Sequence, residues 1–279
     1  MKTYSETQLV SYSVTAFARL NRATSIKWRR VKVQIPIRNT VAIALFLGLV
    51  VGTARLASAQ FDPSLQFSPV ANPNGVWSYG FESVPLGSPF ALLTLPLTVS
   101  SLPGPFIDSW QDPAFGAIGV FHNGTAAPQT VTTVGPETSL FDPGMLAMNA
   151  GPNDQYAIVL FTAPVNGIYT IQGTFEGIDT AGTTSSVYLL ANNVPLISGS
   201  VIPFGPPVPL SSGPILLAAG QTLAYAVGGG PANSMTALVG AEVSAVAVPE
   251  PSAYALLGLV LVPLAVRGGL ARKRKAAIA

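Results

Sequence analysis

Between Gln60 and Ala247 the chain contains no lysine and no arginine. All fourteen basic residues lie outside that window, nine of them up to Arg55 and five from Arg267 onward. The same window holds ten acids: Asp62, Glu82, Asp108, Asp112, Glu137, Asp142, Asp154, Glu176, Asp179 and Glu242. With its one histidine, His122, neutral, the window carries a formal charge of −10, although the whole chain sums to +2. No salt bridge can form between its own side chains. It must be held by apolar burial and backbone hydrogen bonding, with Ser, Thr, Asn and Gln supplying most of the polar surface. The chain has no cysteine, so no disulfide reinforces it. At about 190 residues the window is long enough to bury a core without one. Nucleic-acid binding is excluded, because it needs Lys and Arg to replace phosphate counterions. Acidic lipid and acidic polysaccharide are disfavoured as electrostatic partners.

The window is dense in Pro, Gly, Ser, Thr and Val, which break helices and suit short strands between turns. Strands are predicted at 76–84, 90–95, 117–122, 130–134, 145–148, 155–162, 167–175, 186–191, 194–198, 215–218, 222–227 and 237–246. Ile168, Thr170 and Gln172 alternate with Tyr169, Ile171 and Gly173, as in a half-buried strand. Asn192-Asn193 reads as a tight hairpin turn. Residues 97–113 and the proline-rich run 202–214 read as long loops. The expected fold is all-β, an antiparallel β-sandwich of two packed sheets.

Three stretches resemble elements of bacterial jelly-roll domains. Phe161–Ile171 contains a step of the form P-x-x-G-x-Y, with Pro164 and Gly167 for the turn and Tyr169 for the core. Ala219-Gly220-Gln221-Thr222-Leu223 followed by Ala226-Val227-Gly228 is similar to a later strand pair, and Asn72–Gly80 to the opening of exported β-domains. The resemblance implies a sandwich of jelly-roll type.

Residues 1–59 read as an export signal whose start is over-extended, Val31 being an alternative initiator. Lys27, Arg29, Arg30, Lys32 and Arg38 form a basic region, and Val41–Val51 an apolar core. Ala57-Ser58-Ala59 is a small-x-small cleavage site ahead of Gln60. The expected organisation is therefore 1–59 signal, 60–247 exported domain and 248–279 tail. In the tail, Pro249 and Pro251 hold Glu250 in an extended strip. An uncharged stretch from Ser252 to Val266 follows, shorter than the roughly 20 residues of a straight membrane helix. Arg267 can snorkel and let 268–271 lengthen the span. Arg272, Lys273, Arg274 and Lys275 then form a basic cluster that stays cytoplasmic by the positive-inside tendency.

This order of motif Val248-Pro249-Glu250-Pro251, single transmembrane helix and terminal basic cluster resembles the PEP-CTERM sorting signal of exported bacterial proteins. The resemblance covers roughly a tenth of the chain. It implies processing by an exosortase-type enzyme, transient anchoring in the inner membrane, release to the cell surface or beyond, and association with exopolysaccharide or biofilm.

The domain itself offers little chemistry. A mechanism based on Cys or Lys is impossible between Gln60 and Ala247, and no G-x-S-x-G elbow accompanies His122. One histidine builds no ordinary zinc site. Asn123-Gly124-Thr125 is a formal glycosylation sequon that also reads as a plain turn. Glu176 with Asp179, or Asp108 with Asp112, could form a glycosidase carboxylate pair. Calcium is a better use of acids such as Asp154, Glu176 and Asp179, and no other cofactor is expected. Trp77, Tyr79, Trp110 and Tyr156 could form an aromatic platform for a neutral sugar, although such residues in a sandwich more often fill its core. The expected function is a non-enzymatic surface or matrix protein. The alternatives are a lectin-like carbohydrate-binding module on the same tail and a glycan-active enzyme with a carboxylate pair.

Overall fold

The computed structural model describes residues 9–11, 34–36, 58–102, 107–114, 116, 118–132, 138–182, 184–228 and 234–248. The chain divides into two compact units, Met1–Leu56 and Ala57–Ala279. In the first, β1 (Leu9–Ser11) pairs antiparallel with β2 (Gln34–Pro36). Apart from these strands and Ser58-Ala59, the expected signal lies outside the described residues, as does the whole tail beyond Val248. No helix among the described residues is long and apolar enough to cross a membrane.

Among its described residues the second unit is all-β, as expected for the domain. Its strands in chain order are β3 (Ser58–Phe61), β4 (Trp77–Glu82), β5 (Ala91–Leu92), β6 (Leu95–Val99), β7 (Ile107–Gln111), β8 (Gly119–His122), β9 (Gln129–Thr132), β10 (Thr138–Phe141) and β11 (Leu146–Asn149). They continue as β12 (Tyr156–Thr162), β13 (Gly167–Gly177), β14 (Ser185–Ala191), β15 (Val194–Val201), β16 (Val208–Pro209), β17 (Ser212–Leu217), β18 (Thr222–Gly228) and β19 (Met235–Ala247). One sheet has six strands in the order β15-β14-β18-β12-β4-β5. The other has nine, with the path β16-β13-β19-β11-β8-β7-β6, β17 beside β13 and β3 beside β19. Every pairing between these strands is antiparallel.

The two sheets face each other across one apolar layer. Trp77, Tyr79, Val159, Phe161, Leu189 and Tyr225 come from the six-stranded sheet, and Val120, Met148, Tyr169, Ile171, Phe175 and Val243 from the nine-stranded one. Phe161 stands at the centre of the aromatic contacts. Its ring lies 5.2 Å from Phe61, 5.2 Å from Trp77 and 5.7 Å from Tyr169, so it ties β12 to its neighbour β4 and, across the gap, to β3 and β13. Burying one such side chain is worth about 1.5–3 kcal/mol.

Both outer faces are partly covered too, which explains why β12 (YAIVLFT) and β18 (TLAYAVG) are continuously apolar rather than alternating. Leu86 and Phe90, in the stretch joining β4 to β5, pack on Ile158, Leu190, Ala224 and Ala226 outside the six-stranded sheet. The β9–β10 hairpin lays Val131 and Phe141 on Ile107, Phe121, Ala147 and Ala237 outside the nine-stranded sheet.

The twelve predicted strands correspond to strands here, with shifted ends. Two readings need correction. Residues 97–113 are not one long loop: β6 and β7 form the sheet edge there, with Pro96 on the outermost strand opposite Trp110. Proline lacks the N–H a ladder needs, which hid the strand in the sequence but is tolerated at an edge. Residues 202–214 likewise contain β16 and the start of β17, both pairing with β13. The Asn192-Asn193 turn is as read, with φ of 48° and 65°, the left-handed pair of a type I′ hairpin turn.

β13 carries a bulge against β19 between Gln172 and Thr174. Gly173 occupies it at φ 135°, and a Cβ there would lie 2.9 Å from the Ala241 Cα. Gly213 has no such constraint, since a Cβ would meet nothing within 4 Å. Gly173→Ala is therefore expected to destabilise the protein by about 2–4 kcal/mol, through strain and backbone displacement. Gly213→Ala should change stability by less than about 0.5 kcal/mol. Urea unfolding of both variants checks the contrast.

Candidate functional site

The four aromatics proposed to stack on sugar do not share a surface. Trp77 and Tyr79 are fully buried and Trp110 is 6% exposed, all three in the layer between the sheets. That reading is corrected. Inward-facing strand positions bury these rings, and their polar tips are taken up by the segment between β3 and β4. Trp77 Nε1 donates to Gln66 Oε1 at 2.8 Å, Trp110 Nε1 to the Ser68 carbonyl at 2.7 Å, and the Tyr79 hydroxyl to the Pro63 carbonyl at 3.2 Å. Asn72 secures the same segment: its amide donates to the carbonyls of Tyr79 and Leu93 and accepts from the Tyr79 N–H. Tyr156 alone is half-buried on an outer face, with Tyr188 edge-on at 5.9 Å. Two rings at 78° make no flat platform. Sequence reasoning missed Tyr188, which the register of β12, β18 and β14 brings near Tyr156.

The acids are dispersed and hold the fold locally. Asp154 is exposed in the turn before β12, at φ 56°. Glu176 is half-buried on β13 and accepts from the Thr174 hydroxyl at 2.9 Å. Asp179 is 2% exposed. Its Oδ1 accepts from the Ser139 hydroxyl and its Oδ2 from the Met235 N–H, both at 2.5 Å, so it joins β10 to the start of β19. No three His, Asp or Glu side chains among the described residues gather as a metal site. Asp154, Glu176 and Asp179, the expected calcium set, are thus not brought together as one group. Asp62 Oδ1 accepts from the N–H of Ser64 and Leu65. Asp112 accepts from the Ala114 N–H, while Asp108 accepts from Thr98 on the neighbouring strand. Glu82 accepts from the Gly87 N–H, and burial holds its carboxyl above the usual range. Glu242 accepts from Ser244 and Gln172, which holds its carboxyl below the usual range.

His122 stacks on Phe67 with ring centroids 4.8 Å apart and stands opposite Asp108 in the β7–β8 register. Burial pushes its pKa down, against a smaller upward pull from Asp108 and Asp62. Asn123 is fully buried. Its amide donates to the carbonyls of Ala127, Phe141 and Asp142, so the formal sequon is a structural turn.

The geometry that remains is the end of the sandwich where the chain enters and leaves. β3 begins at Ser58 opposite Val246 near the end of β19. The expected cleavage bond, Ala59–Gln60, lies inside β3. β19 stops at Ala247, and the Val248 N–H donates to the Asn166 carbonyl at 3.0 Å. Pro249-Glu250-Pro251, Arg267 and the basic cluster Arg272–Lys275 follow outside the described residues. The motif thus begins at the last tie among the described residues.

No protein-family model and no curated protein matches the chain. Among solved structures it is similar to part of a GH26-CBM35 β-(1,4)-mannanase from Podospora anserina, at 14% identity and TM-score 0.23, covering 47% of this chain and 28% of that one. It is similar to an exo-β-1,3-galactanase from Phanerochaete chrysosporium at 12% identity and TM-score 0.25, covering 62% and 52%. A third likeness is to an isomalto-dextranase from Arthrobacter globiformis, at 13% identity and TM-score 0.24, covering 68% and 32%. The chain spans about half or less of each of these proteins, and no residue role is transferred from them. What fold and geometry define is an antiparallel β-sandwich domain whose two chain ends emerge side by side.

Two outcomes follow. Millimolar calcium should raise Tm no more than sodium chloride of matched ionic strength, because the acids are not gathered. His122 has a folded-state pKa below its unfolded value of about 6.5, so the unfolded chain binds the extra proton. Its contribution to stability is lost as pH falls through about 6.5. Thermal melts from pH 7.5 to 5.5 should therefore show a decline that His122→Phe, which keeps the ring stack, reduces.

Proposed function

We propose that this chain is an exported bacterial surface or extracellular-matrix protein whose β-sandwich, of jelly-roll type, binds or scaffolds rather than catalyses. An N-terminal signal directs it out, and a C-terminal helix holds it in the inner membrane. An exosortase-type enzyme cuts near Val248–Pro251, and the domain is released, in association with exopolysaccharide.

The observation that supports this most is the position of the motif. Among the described residues Val248 is the last tied to the sandwich, and the Pro-Glu-Pro motif follows it in sequence. A processing enzyme needs such a segment in extended form, and no unfolding of β19 is required to present it. The structural duties of the acids favour a non-enzymatic domain, and the burial of Trp77, Tyr79 and Trp110 removes the aromatic argument for a lectin.

Cleavage before Gln60 would have to precede the docking of β3, since a paired strand does not fit a protease cleft. Intact-mass spectrometry of the released protein should find a mature N-terminus at Gln60 and no Arg272–Lys275. A released form that still carries the basic cluster would refute sorting of this kind.

A further inference from the structure

The outer face of the nine-stranded sheet changes character along its strands. In β13, Tyr169 and Ile171 point into the core, so Ile168, Thr170 and Gln172 point outward. Ile168 stands opposite Val246 of β19 on one side and Leu216 of β17 on the other. Leu216 is 73% exposed and Ile168 42%. Further along the same face the pairs are polar: Thr170 opposite Ser244, then Gln172 opposite Glu242. The change from apolar to polar takes two residues, about 7 Å of strand. Val165 and Val248, 44% and 42% exposed, stand just beyond the apolar row. The β9–β10 hairpin, which covers apolar side chains elsewhere on this face, packs on residues of β7, β8, β11 and the start of β19 instead.

This apolar row lies at the end where the chain leaves. Hydrogen bonds gather the loops of that end: Ala163 N–H to Gln221, Gly220 N–H to Ala163, Asn192 N–H to Thr222, and Val248 N–H to Asn166. Residues 163–168, 191–196, 214–222 and 244–248 contain no charged side chain, in a domain with ten acids and no base. Three residues separate Val248 from Ser252, where the apolar tail begins, a reach of at most about 14 Å.

We propose that this end of the sandwich is a membrane-seating face. While the tail is uncut, Leu216, Ile168 and Val248 rest in the boundary between lipid headgroups and acyl chains. The inference rests on the reading of the tail as a membrane helix. Its physical logic is separate: a short tether forces one end of the domain onto the bilayer, and that end is apolar and free of the acids that anionic headgroups would repel. The seat also sets the height of the Pro-Glu-Pro strip at the membrane surface, where an intramembrane processing enzyme works.

The full chain has no native cysteine, so single labels test this directly. Leu216→Cys, Gln172→Cys and Leu261→Cys each carry an environment-sensitive fluorophore in the full chain, reconstituted into phosphatidylcholine vesicles with or without doxyl-labelled lipid. Lipid-borne quenching should be several-fold stronger at positions 216 and 261 than at 172. Chain that does not float with vesicles would overturn the tail reading, and the seat with it. Quenching at 261 alone, with 216 open to aqueous iodide, would overturn the seat and leave the tail reading intact. A shift at 216 that depends on protein density, without lipid quenching, would assign the row to a second copy of the chain and refute the seat.

Discussion

The sandwich depends on direct apolar contact between its sheets. From Gln60 to Ala247 there is no cationic side chain to pair with an acid and no cysteine to crosslink strands. Phe161, with Phe61, Trp77 and Tyr169 around it, supplies the central contact. The outer layers repeat the same device on a smaller scale, with the stretch between β4 and β5 on one sheet and the β9–β10 hairpin on the other. A three-layer distribution of apolar side chains lets strands be hydrophobic on both faces without exposing them.

Polar side chains work at the ends of this structure. Asn72 and Asn123 each satisfy several backbone groups that the sheet ladders leave unpaired, and the tips of Trp77, Tyr79 and Trp110 are met by the segment between β3 and β4. A buried group without a partner costs about 1–3 kcal/mol, so these contacts are as necessary as the core. Acids do the same in turns, where a carboxylate accepts from a neighbouring N–H and needs no cation. Asp62, Glu82, Asp112 and Asp179 are employed in this way.

The antiparallel pairing of β3 with the end of β19 has a consequence for topology. It brings Ser58, at the start of β3, beside Val246, near the end of β19, at one end of the domain. A domain anchored at either terminus presents the same end to its support. The uncharged loops and the apolar row at that end are compatible with such a support.

Much of this was legible in the chain. Alternation and turn residues located the twelve predicted strands, and Asn192-Asn193 marked its hairpin because only left-handed residues fit a two-residue turn. The absence of Lys and Arg excluded salt bridges outright. The edge strands β6 and β16 were hidden, since Pro96 and Pro209 obscure strand patterns and edge positions tolerate them. Sequence could propose Trp77, Tyr79, Trp110 and Tyr156 as a surface set and Asp154, Glu176 and Asp179 as a metal set. Tertiary structure alone decided otherwise. Which face a strand turns inward depends on its register with partners distant in the chain, and so does whether acids close in sequence share a point in space. The apolar row of Leu216, Ile168 and Val246 comes from three strands for the same reason, and no local pattern announces it.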